Sequence, residues 1–193
     1  MTTVHLARHG ESDWNAAGRW QGHADRPLTE LGRRQAAELA DRLADVQLDA
    51  VYSSDLLRAR ETAEPVAARH GLEVQALPAL REVDVGGWSG LSRPEVEQRF
   101  PQAFARWRGG GQGWEDGETY EQMTERVVGA VLEIAAAHPE GEVLVVAHGG
   151  PIRALHAVAL GLDISEHRRL KPVALNAKLS HLTVEDGRLS VDR

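Results

Sequence analysis

The segment Val143-Leu144-Val145-Val146-Ala147, followed by His148-Gly149-Gly150, decides the fold class of this chain of 193 residues. Five consecutive apolar residues, three of them valine, are typical of a short strand that is buried on both faces of a parallel sheet. Pro151 follows at a position that suits the first turn of a helix, and we expect this helix to run to Gly161. The segment therefore predicts a strand–turn–helix unit with a histidine at the turn.

Strands and helices alternate along the rest of the chain. The pattern predicts strands at 3–7, 49–52 and 72–74, and helices at 28–44, 55–69 and 119–137. Thr119 and Gln122 match a capping box at the start of the last of these helices. Segments 179–184 and 189–191, joined by Glu185-Asp186-Gly187-Arg188, predict an antiparallel closing pair. This order favours an α/β fold, a three-layer α/β/α sandwich with a mostly parallel central sheet.

The composition bounds the class of protein. The chain has 22 Lys and Arg against 29 Asp and Glu, and the net charge of −7 disfavours a nucleic-acid-binding surface. It contains no cysteine, which excludes disulfides, thiolate metal sites and cysteine nucleophiles. No apolar run reaches the roughly 18 residues of a membrane helix, and the N-terminus does not resemble a signal peptide. We therefore expect one domain over residues 1–193, located in the cytoplasm, without nucleic-acid or membrane partners.

Three predicted strands end at residues that are suited to holding an anion. Arg8-His9-Gly10-Glu11 follow the first strand, Ser53-Ser54-Asp55 and then Arg58 follow the second, and His148-Gly149-Gly150 follow the most apolar strand. Because ligands of parallel α/β sheets bind outside the carboxyl ends of the strands, we expect two histidines and two arginines to converge. Helix N-termini add backbone N–H donors at the same place. The combination predicts a site for a dianion such as a phosphoryl group.

Sequence motifs for other phosphoryl-transfer chemistries are absent. The chain has no G-x-x-x-x-G-K-[ST] loop, no D-x-D or H-E-x-x-H motif, and no dense carboxylate–histidine cluster for a metal pair. Gly87-Trp88-Ser89-Gly90-Leu91 fails the G-x-S-x-G pattern of a serine elbow at its last position. Histidine therefore remains as the candidate nucleophile, and we expect no metal site.

Ordered segments along nearly the whole chain carry a family resemblance. They are Leu6-Ala7-Arg8-His9-Gly10-Glu11-Ser12, Asn15, Gln21-Gly22 with 25–32, 53–63, Leu80-Arg81-Glu82, Gly117-Glu118-Thr119 and Ala147-His148-Gly149-Gly150. In this order they resemble the signature of the histidine phosphatase superfamily, the phosphoglycerate-mutase-like proteins. The resemblance implies the phosphoglycerate-mutase-like form of the α/β/α sandwich.

The resemblance also implies a mechanism without metal or organic cofactor. His9 would become phosphohistidine, and Glu82 would protonate the leaving alcohol and then activate water. Asp84, two residues away, is the competing carboxylate. Arg8, Arg58 and His148 would bind the phosphoryl group. The residues expected to bind the substrate beside it are Asn15, Gln21, Gly22 and Gly149.

Three departures from the mutases of the family favour a phosphatase. Only 36 residues separate Glu82 from Thr119, the chain ends soon after its last strand, and Gly150 stands where the mutases carry asparagine. We therefore expect hydrolysis of a phosphate monoester of a small metabolite. Mutase-type phosphoryl transfer, a phosphoprotein phosphatase and a non-catalytic phospholigand-binding protein are the alternatives. Which ester is used and whether the chain forms a homodimer are left open.

The segment around 83–118 is expected to form a cap or lid over the site. It contains the glycine-rich run from Gly109 to Gly117, and the candidate lid residues are Trp107, just before that run, and Trp114, within it. Trp88 is expected to pack in the core. The outer wall of the site is expected at 19–23 and 106–119. Arg106 and Arg108 would either bind a second anionic group or lie on a solvated face, and His23 is a candidate for a substrate contact.

Overall fold

The centre of the fold is a six-stranded sheet in a computed structural model that describes residues 1–164, 166–167 and 175–191. In chain order the strands are β1 (Thr2–Arg8), β2 (Ala50–Ser53), β3 (Val74–Ala76), β4 (Glu142–Ala147), β5 (Leu179–Glu185) and β6 (Arg188–Ser190). Their order in the sheet is β3-β2-β4-β1-β5-β6. The four strands β3, β2, β4 and β1 pair in parallel, and β5 and β6 form an antiparallel edge beside β1. The predicted α/β fold with a mostly parallel sheet is confirmed.

Seven α-helices lie wholly within the described residues. They are α1 (Asp13–Ala16), α2 (Glu30–Arg42), α3 (Leu57–His70), α4 (Arg93–Arg99), α5 (Pro101–Arg108), α6 (Tyr120–Ala137) and α7 (Gly149–Ala159). The four longest were predicted, and the capping box of Thr119 with Gln122 is present. Helices α1, α4 and α5 were missed, although Ser92 and Glu95 form a capping box that is visible in the sequence. Strand β3 lies two residues beyond its predicted position.

Two hydrophobic cores cover the two faces of the sheet. Along β4, Val143, Val145 and Ala147 belong to one core, whereas Leu144 and Val146 belong to the other. Because side chains alternate along a strand, an unbroken apolar run supplies both faces at once. The first core includes residues of α6 and α7, and the second includes residues of α2 and α3. The helices thus form the two outer layers of the expected sandwich.

Strands β1 and β4 are neighbours in the sheet, and the segments that follow them lead to opposite faces of it. Arg8 at the end of β1 is in register with Ala147 at the end of β4. The chain then leads from β1 to α2 on one face, and from β4 to α7 on the other. A crevice opens where neighbouring chains diverge in this way, and ligands of α/β sheets bind in it. This arrangement places His9 and His148 side by side at the crevice.

Candidate active site

His9 begins the turn after β1, and its ring is held in one orientation. Its Nδ1 lies 2.7 Å from the carbonyl oxygen of Gly10, and because a carbonyl only accepts, Nδ1 carries the proton. Nε2 is then the ring nitrogen with the lone pair. Burial, followed by the positive charges of Arg58 and Arg8, holds the pKa of His9 well below its usual range. The ring is therefore neutral near pH 7, in the form that can act as a nucleophile.

His148 lies beside His9 as a buried side chain whose ring nitrogens are not satisfied. The two ring centroids are 5.0 Å apart, and His148 is fully buried. Neither ring nitrogen of His148 has a hydrogen-bond partner among the described residues. Burial is also the main reason that the pKa of His148 lies well below its usual range. An unsatisfied buried polar group costs about 1–3 kcal/mol, and its position beside His9 suits it to bind an anion there.

Arg58 enters the same crevice from the first turns of α3. Its Nη1 and Nη2 donate to the carbonyl oxygens of Ala24 and Gly22 at 2.7 and 2.9 Å, which fixes the guanidinium. Its buried Nε has no hydrogen-bond partner within the described ranges. Burial lowers the pKa of Arg58 to about 10, so the group keeps its charge at neutral pH. Arg58 therefore brings a fixed positive charge and a free donor to the crevice.

Arg8 adds a second positive charge to the cavity that His9 lines. It is the last residue of β1 and is half-buried. Burial lowers the pKa of Arg8, and the charge of Glu82 acts in the opposite direction. Glu82 has the same effect on Arg58. The two arginines and this carboxylate thus form one electrostatic group around the crevice.

The carboxylate of Glu82 is bound by backbone donors at the start of α7. Its Oε1 accepts from the N–H groups of Val83 at 2.9 Å and Gly150 at 3.1 Å, and its Oε2 lies 3.3 Å from the same Gly150 nitrogen. Glu82 lines the cavity together with His9. Asp84 does not line this cavity, and its carboxylate accepts from the N–H of Gly86. The geometry therefore favours Glu82 over Asp84 as the acid–base group.

The expected substrate-binding residues also meet at this cavity. The ninth expected site residue, His148, lies beside His9. The other eight line the cavity: Arg8, His9, Asn15, Gln21, Gly22, Arg58, Glu82 and Gly149. The hydroxyl of Ser12 donates to the side-chain oxygen of Gln21 at 2.8 Å, and the backbone N–H of Ser12 donates to the side-chain oxygen of Asn15 at 3.1 Å. These contacts fix the orientation of both amides, while their roles toward a substrate stay predictions.

The cavity has a volume of about 290 Å³ and an aromatic outer wall. Trp20, Trp107, Trp114 and Tyr120 line it together with the residues that are expected to bind the phosphoryl group. Arg19, Arg93 and Arg153 line it as well, and Arg93 lies over the ring of Trp107 at 5.2 Å. Arg106 instead pairs with Glu115 at 2.9 Å, and neither Arg106 nor Arg108 lines the cavity. The outer arginines thus differ from the two that sequence analysis named.

The aromatic residues of segment 83–118 pack on one another and on Trp20. Trp20 contacts Trp88 and Trp107 with ring centroids 5.1 and 5.0 Å apart, and Trp88 contacts Trp114 at 5.6 Å. Trp88 is 1% exposed, in agreement with its expected place in the core. A Cβ atom on Gly113 would lie 2.2 Å from the ring of Trp88, so the glycine-rich run closes tightly over this ring. The segment is therefore anchored to the core next to the cavity.

The residues that hold the backbone of Glu82 were not predicted from the sequence. Arg126 on α6 donates to the carbonyl oxygens of Ala79, Arg81 and Glu82 at 2.8, 2.9 and 3.0 Å. The same guanidinium makes two hydrogen bonds to Glu118. His23 Nε2 donates to the Glu82 carbonyl at 2.8 Å, so it contacts this segment rather than standing as an isolated cavity residue. No sequence motif marks such contacts, because they are made to backbone atoms.

The described residues contain no group of three or more His, Asp, Glu or Cys side chains that could hold a metal ion. The site residues are instead two histidines, two arginines and one carboxylate around one cavity. The expectation that no metal takes part stays a prediction.

Comparisons with known proteins give the same family as the sequence motifs. Phosphoserine phosphatase 1 of Hydrogenobacter thermophilus is 38% identical over 168 residues, which cover 86% of this chain and 80% of that protein. The metal-independent phosphoserine phosphatase of Arabidopsis thaliana is 39% identical over 161 residues, or 81% of this chain and 68% of that protein. A mycobacterial glucosyl-3-phosphoglycerate phosphatase, solved in complex with VO3, superposes with a TM-score of 0.89 at 33% identity over 99% of this chain and 97% of its own.

The match to the family extends over almost the whole chain. The histidine phosphatase superfamily (branch 1) matches residues 4–193, which include every expected site residue. The relatives named above are phosphatases, and the solved relative shares the fold over nearly its full length. The chain belongs to the histidine phosphatase superfamily, branch 1.

Proposed function

We propose that the chain hydrolyses phosphate monoesters of small metabolites through a phosphohistidine on His9. The observation that carries this proposal is the juxtaposition of His9 with buried donors that lack partners. The ring of His9 is neutral, with its proton on Nδ1, and the nitrogens of His148 and the Nε of Arg58 lie unsatisfied in the same crevice. A phosphoryl group on Nε2 of His9 places its oxygens where such donors are needed.

The first step transfers the phosphoryl group from the substrate to His9. Nε2 of His9 forms a bond to phosphorus, and the bond from phosphorus to the ester oxygen breaks. Arg8, Arg58 and His148 stabilise the negative charge on the phosphoryl oxygens, which takes the place of the metal charge used by other phosphoryl-transfer enzymes. Glu82 gives its proton to the leaving alcohol, which carries that proton away, and Glu82 takes a new proton from water in the second step.

The second step regenerates the free enzyme. Glu82 takes a proton from a water molecule as the water oxygen attacks phosphorus, and the bond from phosphorus to Nε2 of His9 breaks. The products are inorganic phosphate and neutral His9. The carboxylate lies between the N–H groups of Val83 and Gly150 at the cavity wall, from which it faces both the alcohol and the water that replaces it. One group thus serves both half-reactions in opposite protonation states.

The size and lining of the cavity support a small leaving group. A volume of about 290 Å³ lies at the lower end of the range for ligand pockets. The outer wall combines aromatic rings with arginines, which suits a metabolite that carries a further polar or anionic group. The named relatives act on phosphoserine and on glucosyl-3-phosphoglycerate. We extend to this chain only the class that these share, a phosphorylated small metabolite.

Trapping of the covalent intermediate tests the proposal. The protein is exposed briefly to a substrate labelled in its phosphoryl group and quenched in base, in which phosphohistidine survives, and the labelled peptide is mapped. We expect the label on His9 and its loss in His9→Ala, while His70→Ala at the end of α3 is labelled like the wild type. Label on a serine, or label retained by His9→Ala, would refute the mechanism.

Three expectations about the whole molecule remain proposals. Residues 1–193 act as one domain in which 83–118 serves as a cap, and the packing of Trp107 and Trp114 along the cavity supports this role. Among the helices within the described ranges, none is long and apolar enough to cross a membrane. A cytoplasmic location is proposed on the sequence alone, and a homodimer stays an open prediction that sedimentation of the purified protein would test.

A further inference from the structure

We infer that Gln35 on α2 is a positioning residue for the proposed nucleophile, because it holds the peptide group to which the ring of His9 is anchored. Nδ1 of His9 donates to the carbonyl oxygen of Gly10 at 2.7 Å. The N–H of the same peptide group, that of Glu11, donates to Oε1 of Gln35 at 2.8 Å. One peptide group thus links the side-chain amide of Gln35 to the ring of His9. The inference rests on the nucleophilic role proposed for His9.

The hydrogen bond at Nδ1 decides which ring nitrogen of His9 can attack phosphorus. A neutral imidazole carries one proton, and the hydrogen bonds of the ring decide which nitrogen holds it. The carbonyl of Gly10 keeps the proton on Nδ1, so the lone pair stays on Nε2. A peptide group that donates through its N–H also accepts more strongly at its carbonyl, because hydrogen bonds in a chain polarise one another. Gln35 therefore acts on the ring by fixing the peptide plane and by strengthening the acceptor.

The peptide groups on either side of this one are held by other residues. The N–H of Gly10 donates to Oγ1 of Thr62 at 2.9 Å, and the carbonyl oxygen of Glu11 accepts from the N–H of Thr29 at 2.9 Å. Loss of the Gln35 amide leaves both contacts in place. The peptide group between Gly10 and Glu11 can then rotate, since glycine permits a wide range of backbone angles. The change is thus confined to the carbonyl that faces the histidine ring.

Helix α2 lies close enough for this contact because two glycines meet where it begins. A Cβ atom built on Gly32 would lie 2.1 Å from the carbonyl oxygen of Glu11, and one built on Gly10 would lie 2.5 Å from the carbonyl oxygen of Gly32. The first turn of α2 therefore packs directly on the backbone of the turn that follows β1. Gln35 lies three residues beyond Gly32, on the same face of the helix. The packing of the helix on the turn thus brings the amide to the N–H of Glu11.

The test removes the amide oxygen with Gln35→Met, which keeps the length of the side chain. Gln35 is half-buried, and we expect the variant to melt within about 5 °C of the wild type. Single-turnover phosphoryl transfer should slow by about 10-fold, equally with an alkyl phosphate and with p-nitrophenyl phosphate, because both esters use the same nucleophile. Gln35→Glu keeps an oxygen acceptor and should stay within about 3-fold of the wild type. Gln98→Met, at an exposed position of α4 that does not line the cavity, is the matched control and should equal the wild type.

The state of the His9 ring is measured without turnover by ¹⁵N NMR of the histidine side chains, with its signals identified by their loss in His9→Gln. In the wild type we expect one protonated ring nitrogen and one with a lone pair. In Gln35→Met the two shifts should approach each other, as in a ring that exchanges between both tautomers, whereas Gln35→Glu should resemble the wild type.

Three results would each overturn the inference. They are ring shifts that Gln35→Met leaves unchanged, a transfer rate of Gln35→Met within about 2-fold of the wild type, and a loss of the same size in Gln35→Glu. A fall in Tm of more than about 10 °C in Gln35→Met would also overturn it, because the amide would then serve the fold rather than the ring. Label on a residue other than His9 in the trapping experiment would instead refute the proposed function.

Discussion

Arg126 on α6 donates a hydrogen bond to the backbone carbonyl of Glu82 at 3.0 Å, so the helix holds the segment that carries the proposed acid. The guanidinium also binds the carbonyl oxygens of Ala79 and Arg81 and the carboxylate of Glu118. Glu118 directly precedes Thr119, the N-cap of α6. The position of the carboxylate thus depends on a residue 44 positions away in the sequence.

Replacing Arg126 by methionine should therefore affect both stability and catalysis. The change leaves Glu118 and three carbonyl oxygens without their charged donor, and we expect the free energy of unfolding to fall by about 3 kcal/mol. Turnover of alkyl phosphates should fall as well, because Glu82 is no longer held. Urea denaturation and steady-state kinetics measure the two effects. Arg60→Met is the control, since exposed Arg60 pairs with exposed Glu64 at 3.9 Å and the loss of this pair should cost less than about 0.5 kcal/mol. Equal stability of the two variants would contradict this role for Arg126.

The histidine pair was predictable from sequence, whereas Arg126 was not. His9 and His148 each follow a strand and precede a glycine, and the rule for ligand sites in α/β sheets places such residues together. Arg126 binds backbone atoms, which any residues at 79–82 would present, so no side-chain pattern reveals the contact. Arg106 and Arg108 were candidates for a second anionic group or for a solvated face, and the sequence did not predict the helices α4 and α5. Because these helices were not predicted, the sequence could not show that Arg93, rather than Arg106, lines the cavity.

The buried histidines should make the protein less stable below neutral pH. The pKa values of His9 and His148 lie well below the ordinary value of 6.5, chiefly because burial disfavours the charged ring. At pH values above 6.5 both rings are neutral in the folded and the unfolded chain, so their contribution is constant. As the pH falls below 6.5 the unfolded chain binds protons that the folded chain does not, and the free energy of unfolding decreases by up to about 1.4 kcal/mol per pH unit for each ring.

Denaturation curves between about pH 7.5 and pH 5 measure this effect. The pKa of His156 is also lowered, chiefly by burial, so this ring adds to the same loss of stability, whereas the lowered pKa values of Asp13 and Asp55 act below their ordinary value of 3.8 and do not enter this window. His148→Gln removes one of the two rings and should reduce the slope of stability against pH. A slope that His148→Gln leaves unchanged would show that His148 is not held neutral by the fold.

Activity should not depend on a divalent metal. The proposed mechanism uses Arg8, Arg58 and His148 to stabilise the phosphoryl charge, so a chelator removes nothing that the reaction needs. We expect kcat and KM for p-nitrophenyl phosphate after prolonged dialysis against excess EDTA to stay within about 2-fold of their values before dialysis. A change of this size is on the order of assay scatter. A large loss that Mg²⁺ or Zn²⁺ restores would place the chain in another mechanistic class.

Water, rather than a second hydroxy acid, should accept the phosphoryl group. The exposed residues Arg19 and Arg93 line the cavity, which therefore reaches the surface and admits water to His9. We expect release of inorganic phosphate from a monoester without any bisphosphate primer. Phosphate release and interconversion of phosphoglycerates are measured on the same preparation. Interconversion much faster than hydrolysis would favour the mutase alternative.

The role of Glu82 can be separated from that of Asp84 by the choice of leaving group. An alkoxide is a strong base, whose conjugate acid has a pKa of about 16 like that of water, so it leaves slowly unless an acid protonates it. A nitrophenolate leaves without such help. Glu82→Gln keeps the size of the side chain but cannot donate the carboxyl proton. We therefore expect phosphoryl transfer from an alkyl phosphate to slow by about 10²–10⁴-fold and transfer from p-nitrophenyl phosphate to change little.

With the aryl ester, the second half-reaction should then become limiting in Glu82→Gln. The attacking water has lost its base, so phosphohistidine forms at nearly the normal rate and accumulates on His9. Rapid-quench measurement of the bound phosphoryl group detects this build-up. Asp84→Asn is the matched control, because the Asp84 carboxylate binds the N–H of Gly86 and does not line the cavity. Equal losses on both esters in Glu82→Gln would remove Glu82 from the acid role, and a selective loss in Asp84→Asn would assign that role to Asp84.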